Sequence, residues 1–75
     1  ALERRDLRRM IQSALASLTV EHRIVIILRD IHDMPYEEIA ENLGVELGTV
    51  RSRLHRARME LKTRLAPHLV DGSEL

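Results

Sequence analysis

Apolar residues recur along most of the chain at intervals of three and four, the spacing that places side chains on one face of an α-helix. The first such run predicts a helix over residues 3–17, with basic residues mostly on the opposite face. Thr19 can cap a second helix, because its hydroxyl can accept from backbone amides two or three residues later. The apolar face of the first helix consists of Leu7, Met10, Ile11, Ala14, Leu15 and Leu18.

The second predicted helix has one apolar stripe and two β-branched residues beside it. The β-branched run could form a strand, but the stripe continues at helical spacing and no second strand is present to pair with it. Val25 and Ile26 lie to either side of the stripe. Either flanking helices bury them, or they form an exposed apolar patch for a protein partner. The stripe itself consists of Val20, Ile24, Ile27, Leu28 and Ile31.

A break, a short helix, a turn and a longer helix follow. Pro35 suits the first position of the third helix, and Glu37 and Glu38 favour the positive end of its dipole. Gly44 stands where the helix would end in a left-handed conformation. This order is the helix-turn-helix signature, although an ordinary helical hairpin could share the glycine. We therefore predict an all-α fold, a small four-helix domain containing a helix-turn-helix. The inward side chains of the third helix are Tyr36, Ile39, Ala40 and Leu43.

The last helix separates its apolar and polar side chains. Leu47, Val50, Leu54, Ala57 and Leu61 fall within one narrow arc, which is expected to face the core. Arginine suits DNA because it can donate two hydrogen bonds to guanine or bind a phosphate, and a glycine lets the backbone approach the duplex. A basic helix that is only solvated is the alternative. The candidate DNA-binding residues are Gly48, Thr49, Arg51, Ser52, Arg53, His55, Arg56 and Arg58.

Charge is sorted along the chain although the net charge is zero. Residues 30–46 hold six acidic and no basic side chains, whereas residues 47–65 hold six basic and one acidic. Such sorting indicates an acidic partner on the basic side, or two helices of this chain that attract each other. Charge alone does not separate these interpretations.

Composition limits the class of protein. The 75 residues suit one domain, predicted over residues 1–66, with a flexible C-terminal tail over 67–75 because Pro67 should stop the last helix. The absence of Cys favours a reducing cytoplasm. The longest apolar run, residues 24–28, is too short to span a bilayer, so a soluble protein without membrane contact is expected. The start at Ala1 rather than Met suggests a piece of a longer chain.

Catalytic and metal chemistry are not indicated. The four histidines share no helical spacing with carboxylates of the kind a metal site needs, and there are no thiols. We therefore expect no metal, no cofactor and no enzymatic activity. The histidines are His22, His32, His55 and His68.

Residues 18–65 closely resemble region 4 of bacterial sigma factors, in particular the extracytoplasmic-function group. The resemblance rests on a Leu-x-x-x-x-Arg helix, then "YEEIA", then "GTVRSRLHRA". It implies recognition of the upstream (minus-35) promoter element as double-stranded DNA, with Arg51, Ser52, His55 and Arg56 at the DNA-contacting positions. Two positions depart from the family pattern, Pro35 where a capping Ser or Thr is common, and Glu46 where Pro or Ser is frequent.

The resemblance also implies protein partners. The family docks this domain on the β flap of RNA polymerase during transcription initiation, and many members are held by an anti-sigma factor. Val25 and Ile26 would then be partner-binding residues. A response-regulator output domain and a pure protein-interaction module are the alternative functions. The isolated domain is expected to be a monomer that binds DNA weakly, since small modules bury little surface.

Overall fold

The computed structural model describes the backbone of residues 3–73 and the side chains of residues 3–68. Within this range the chain forms four α-helices and no strand, which confirms the predicted all-α class. The helices are α1 (Arg4–Ala16), α2 (Val20–Ile26), α3 (Tyr36–Leu43) and α4 (Leu47–Ser73). A π-helical segment, Ile27–Ile31, continues α2 directly.

The junction between α1 and α2 is closed by side chains. The Thr19 hydroxyl accepts from the amide of His22 at 3.3 Å, so the predicted cap is confirmed. Arg23 reaches back to the end of α1, where Nη1 donates to the carbonyls of Ala16 at 3.2 Å and Leu18 at 3.4 Å. A cation at a helix C-terminus satisfies carbonyls that have no partner inside the helix and opposes the negative end of the dipole. The turn is therefore fixed at both of its ends.

The core lies where α2, α3 and α4 meet. Ile39, Leu54, Val25 and Val50 are the largest side chains that are fully enclosed. Burying an aliphatic side chain of this kind contributes about 1.5–3 kcal/mol to folding. The complete buried cluster is Leu18, Val25, Ile26, Ile39, Ala40, Val50, Leu54 and Ala57.

The arrangement of α2 corrects two expectations. Val25 and Ile26 are 0% and 3% exposed, so the prediction that they form an exposed partner-binding patch is wrong. At the two ends of the predicted stripe, Val20 is 56% and Ile31 is 61% exposed. The π segment explains part of this difference, because its wider turn changes the rotational phase of every residue that follows. Burial by neighbouring helices, the other interpretation of Val25 and Ile26, matches the structure.

Helix α1 packs through its C-terminal half. Ala14, and Leu18 just beyond the end of the helix, are buried, whereas Leu7 and Ile11, predicted for the same inward face, are 37% and 38% exposed. The apolar stripe of α1 therefore continues beyond the part of the helix that the domain covers.

The helix-turn-helix forms as predicted from Tyr36 onward. Gly44 is left-handed, with φ 68° and ψ 37°, and Val45 N donates to the Ala40 carbonyl at 3.0 Å, the bond typical of a Schellman cap. The start of α3 differs from expectation, because Pro35 occupies the N-cap rather than the first helical position. Asp33, two residues before this cap, has a left-handed φ of 58°.

Helix α4 is longer than predicted. It runs through Pro67 to Ser73, so the expectation that this proline stops the helix is wrong. A proline inside a helix removes the bond to the carbonyl four residues earlier, here that of Thr63, and its ring crowds that carbonyl, so the helix continues there at an energetic cost. The division into a domain over 1–66 and a flexible tail stays a prediction, and residues 74–75 lie outside the described range. Among the helices of the described residues, none has the length and apolar content to cross a membrane.

Candidate nucleic-acid interface

Two sides of α4 meet different surroundings over residues 47–59. On the inner side, Val50 and Ala57 are fully buried and Leu54 is 1% exposed. These side chains pack against α2 and α3 and leave the opposite side of the helix uncovered. The structure places Thr49 and Arg53 at the margins as half-buried residues, and the exposed residues of the outward side are Gly48, Arg51, Ser52, His55, Arg56 and Met59.

Three arginines of this surface have no acidic partner among residues 3–68. They are Arg51, Arg53 and Arg56. The carboxylates of Asp30 and Glu60 are already engaged elsewhere, in contacts with Arg58, His22 and Arg64. Three uncompensated guanidinium groups within six residues produce a local positive potential that favours a polyanion. We call these residues, with Gly48, Thr49, Ser52 and His55, the outward surface.

Arg58 behaves differently from the arginines of the outward surface. Its Nη2 donates to Asp30 Oδ1 at 2.6 Å and its Nε donates to Asp30 Oδ2 at 3.1 Å. These hydrogen bonds raise the pKa of the Arg58 guanidinium above its ordinary value. The sorting of charge along the chain allows such an attraction but does not identify this pair, because its members are 28 residues apart and only the folded chain brings them together. Arg58, a candidate DNA-binding residue, is therefore already paired within the domain.

The start of α2 lies beside the outward surface, which sequence reasoning did not anticipate. Thr19, Glu21 and His22 line one side of a groove of about 480 Å³ whose other side includes Ser52 and Arg53. His22 Nδ1 lies 3.0 Å from Glu60 Oε1, which ties α2 to α4 at the same edge. Neither contact could be predicted from helical spacing, since each joins two separate helices. The groove therefore brings polar and charged groups of α2 and α4 together.

Gly44 and Gly48 have different structural causes. Gly44 needs to be glycine because its φ of 68° disfavours a Cβ. Gly48 has ordinary helical geometry, is exposed, and a Cβ there would meet no atom within 4 Å. Glycine in a helix costs up to about 1 kcal/mol relative to alanine, and no contact among the described residues accounts for Gly48. A close approach by something outside the domain would account for it.

Among residues 3–68, no group of three or more His, Asp or Glu side chains is placed to hold a metal ion. The absence of catalysis stays a prediction.

Comparison with known proteins finds sigma factors, both in the family model that matches and in the similar proteins. The family model described as "Sigma-70, region 4" matches residues 8–61. The chain is 53% identical over 58 residues to the ECF RNA polymerase sigma factor SigE of Mycolicibacterium smegmatis, covering 77% of this chain and 23% of that protein. It is 48% identical over 52 residues to the RNA polymerase sigma factor YlaC of Bacillus subtilis, covering 69% and 30%.

A third similar protein is the ECF RNA polymerase sigma-E factor of Escherichia coli strain K12. Identity is 37% over 62 residues, covering 83% of this chain and 32% of that protein. The chain therefore spans less than a third of each of these relatives.

Proposed function

Because the chain belongs to the sigma-70 region 4 family, in its extracytoplasmic-function type, we propose that it recognises promoter DNA in transcription initiation. The ligand is the upstream (minus-35) element as a duplex, and the binding element is α4 over residues 47–65. The observation that carries this proposal is the cluster of three unpaired arginines on the outward surface, directly after the Gly44 turn. The α4 helix fits the major groove of B-form DNA in width.

The residues of the outward surface divide into two roles. We assign Arg51 and Arg56 to base or near-base contacts, with Ser52 and His55 assisting, because all four are exposed on the uncovered side of α4. Thr49 and Arg53 are half-buried at the margin of the uncovered side, so they suit phosphate contacts. Gly48 allows the backbone of α4 to lie close to the duplex. Arg58 is not assigned a contact, since Asp30 holds it.

Fluorescence anisotropy tests the proposal directly. The domain is titrated against labelled duplexes that differ in the upstream element, and against one duplex of shuffled sequence, at two salt concentrations. Binding that weakens with salt and prefers one element is the expected result. Equal affinity for all duplexes would remove promoter recognition and leave only electrostatic attraction. Absence of binding at low salt would favour the protein-interaction alternative.

Docking on RNA polymerase is the second part of the proposed function. Since Val25 and Ile26 are buried, the exposed apolar side chains of α1, Leu7 and Ile11, are better placed to contact the β flap. Apolar side chains that share one helix face and remain uncovered are typical of protein contacts. An anti-sigma factor could use the same surface. We place the protein in the cytoplasm, as a monomer when isolated.

A double substitution tests this docking surface. Leu7→Asp with Ile11→Asp is expected to lower the affinity for a β-flap fragment at least tenfold, because two apolar contacts are replaced by charges. DNA binding should be retained, since α1 lies outside the outward surface. Ile31→Asp is the matched control, because Ile31 is also exposed, at 61%, but lies on the π segment. Equal losses for both variants would contradict the assignment to α1.

A further inference from the structure

The π segment carries two consecutive residues of opposite charge that hold different helices. Arg29 Nη1 donates to the Met34 carbonyl at 3.1 Å and lies 3.7 Å from Asp33 Oδ1. The Arg29 guanidinium also lies 5.3 Å from the centroid of the Tyr36 ring, a cation–π distance. Arg29 therefore fixes the path of the chain from the π segment into the first residue of α3.

Asp30, the next residue, holds α4. Its carboxylate accepts two hydrogen bonds from Arg58, at 2.6 Å and 3.1 Å, and this bidentate geometry defines a direction as well as a distance. The side chains of Arg58 and Asp30 are 45% and 38% exposed, so the pair contributes little to global stability. A bidentate pair that adds little to the free energy of unfolding can still restrict the orientation of the helices that it joins.

The apolar contacts between α3 and α4 do not define orientation in the same way. Ile39 and Ala40 pack against Val50 and Leu54 and hold the two helices together. Val50 and Leu54 are 0% and 1% exposed, and their close packing opposes a large rotation of α4. Apolar contacts have no preferred direction, however, so a hydrogen-bonded pair can still set the rotation that α4 adopts. A rotation of about 20° moves a side-chain tip at a radius of ~6 Å by about 2 Å. Binding groups need to be held to within about 0.5 Å, so that movement would misplace Arg51 and His55.

We infer that Arg29 and Asp30 are positioning residues for DNA recognition, acting as one clamp. Arg29 sets the start of α3, and Asp30, through Arg58, sets the rotation of α4, so that the outward surface meets the duplex in a single register. The inference rests on the proposed function for its DNA consequence, but the orientation of the helices can be measured without DNA. A π segment often marks a functional position within a helix, which agrees with this assignment.

The first test compares two substitutions that remove the same charge. Asp30→Asn leaves one acceptor oxygen in place of two, whereas Glu41→Gln neutralises an exposed acid on α3 that has no ion-pair partner among the described residues. Residual dipolar couplings of backbone amides report the orientation of α4 relative to α3, and anisotropy reports the affinity ratio between preferred and shuffled duplexes. Circular dichroism melts establish that each variant is folded.

We expect Asp30→Asn to change the α4 couplings and to lower the affinity ratio by about fivefold to tenfold, while the affinity for shuffled duplex is kept. Glu41→Gln should change neither quantity. Unchanged α4 couplings in Asp30→Asn would overturn the inference, whatever happens to DNA binding. If the wild-type chain shows no sequence preference, the proposed function fails, and the couplings alone still decide the positioning role.

Exchange of the charges provides a rescue test. Asp30→Arg combined with Arg58→Asp re-forms a pair of opposite charges in reverse, and should return the α4 couplings towards wild-type values. Arg58→Asp alone should not. A double variant as disturbed as the single one would contradict the clamp, since its charges could still pair.

Arg29 has its own control within α2. Arg29→Gln removes the contact to the Met34 carbonyl and to Tyr36, and should change the couplings of α3 relative to α2. Arg23→Gln removes an equal charge and a similar set of backbone contacts, but at the end of α1. It should leave α3 unchanged. Equal effects of the two variants on α3 would remove Arg29 from the clamp.

Discussion

Residues 47–57 and residues 58–64 of α4 use arginine for different purposes. Arg51 and Arg56, in the first stretch, have no acidic partner among residues 3–68, whereas Arg58 and Arg64, in the second, lie 2.6 Å and 3.7 Å from carboxylates of Asp30 and Glu60. Exposure does not separate the two sets, since all four side chains are exposed. What separates them is whether the domain already provides a counter-charge.

This difference shows how a basic helix can be assigned to binding or to structure. A guanidinium bound by a carboxylate has lost part of its attraction for phosphate, because a new contact must replace an existing one. An unpaired guanidinium has no such contact to give up. Counting the arginines of "GTVRSRLHRAR" would therefore overstate the number of side chains that are available to DNA, because Arg58 is already paired with Asp30.

Arg51→Ala tests the first stretch of α4 and should have the largest effect. We expect a loss of about 1–3 kcal/mol in binding to the preferred duplex, a factor of about 5–150, because a base contact is removed. The affinity for shuffled duplex should fall much less, so the preference becomes weaker. Anisotropy titrations at one salt concentration measure both. Equal loss on all duplexes would show that Arg51 contacts only phosphate.

Sequence reasoning predicted the helix-turn-helix because its local signals agree. Gly44 supplies the left-handed turn, and the spacing of Ile39, Val50 and Leu54 places one apolar side of each helix against the other. Each of these signals depends on neighbouring residues only. For the same reason the outward surface of α4 followed from counting 100° per residue from the buried side.

The errors have two causes, contacts between distant parts of the chain and local departures from regular helix rules. The burial of Val25 and Ile26 depends on how α2 lies among its neighbours, and the exposure of Ile31 on a π turn that changes the helical period. The pairing of Arg58 with Asp30 needs the folded domain. Pro67 is a local error, because proline is a strong signal for a helix end and yet α4 continues past it to Ser73.

Gly48→Ala tests whether the first stretch of α4 is shaped for a ligand. The domain should become more stable by up to about 1 kcal/mol, because alanine favours helix and its Cβ meets nothing within 4 Å. For a domain of this size that corresponds to about 4–8 °C in Tm per kcal/mol. DNA affinity should fall at the same time, because the added methyl group lies where the backbone approaches the duplex.

Gly44→Ala is the contrasting variant. It should destabilise the domain by about 1–2 kcal/mol, because a Cβ is strained at a φ of 68°. Calorimetric melts distinguish the two variants by the sign of the change in stability, and anisotropy measures their affinity for DNA. If Gly48→Ala binds DNA as tightly as the wild-type chain, no close approach occurs at Gly48.

Lys62→Ala and Arg64→Ala test the second stretch and should have the smallest effects. Lys62 has no ion-pair partner among the described residues, so its loss should weaken binding to all duplexes about equally. The slope of log affinity against log salt should become shallower by about one, the value for one phosphate contact. Arg64 lies 3.7 Å from Glu60, so its loss should reduce the salt dependence by less. Plots of log affinity against log salt give both slopes. A larger change for Arg64→Ala than for Lys62→Ala would show that ion pairing within α4 does not decide which cations bind DNA.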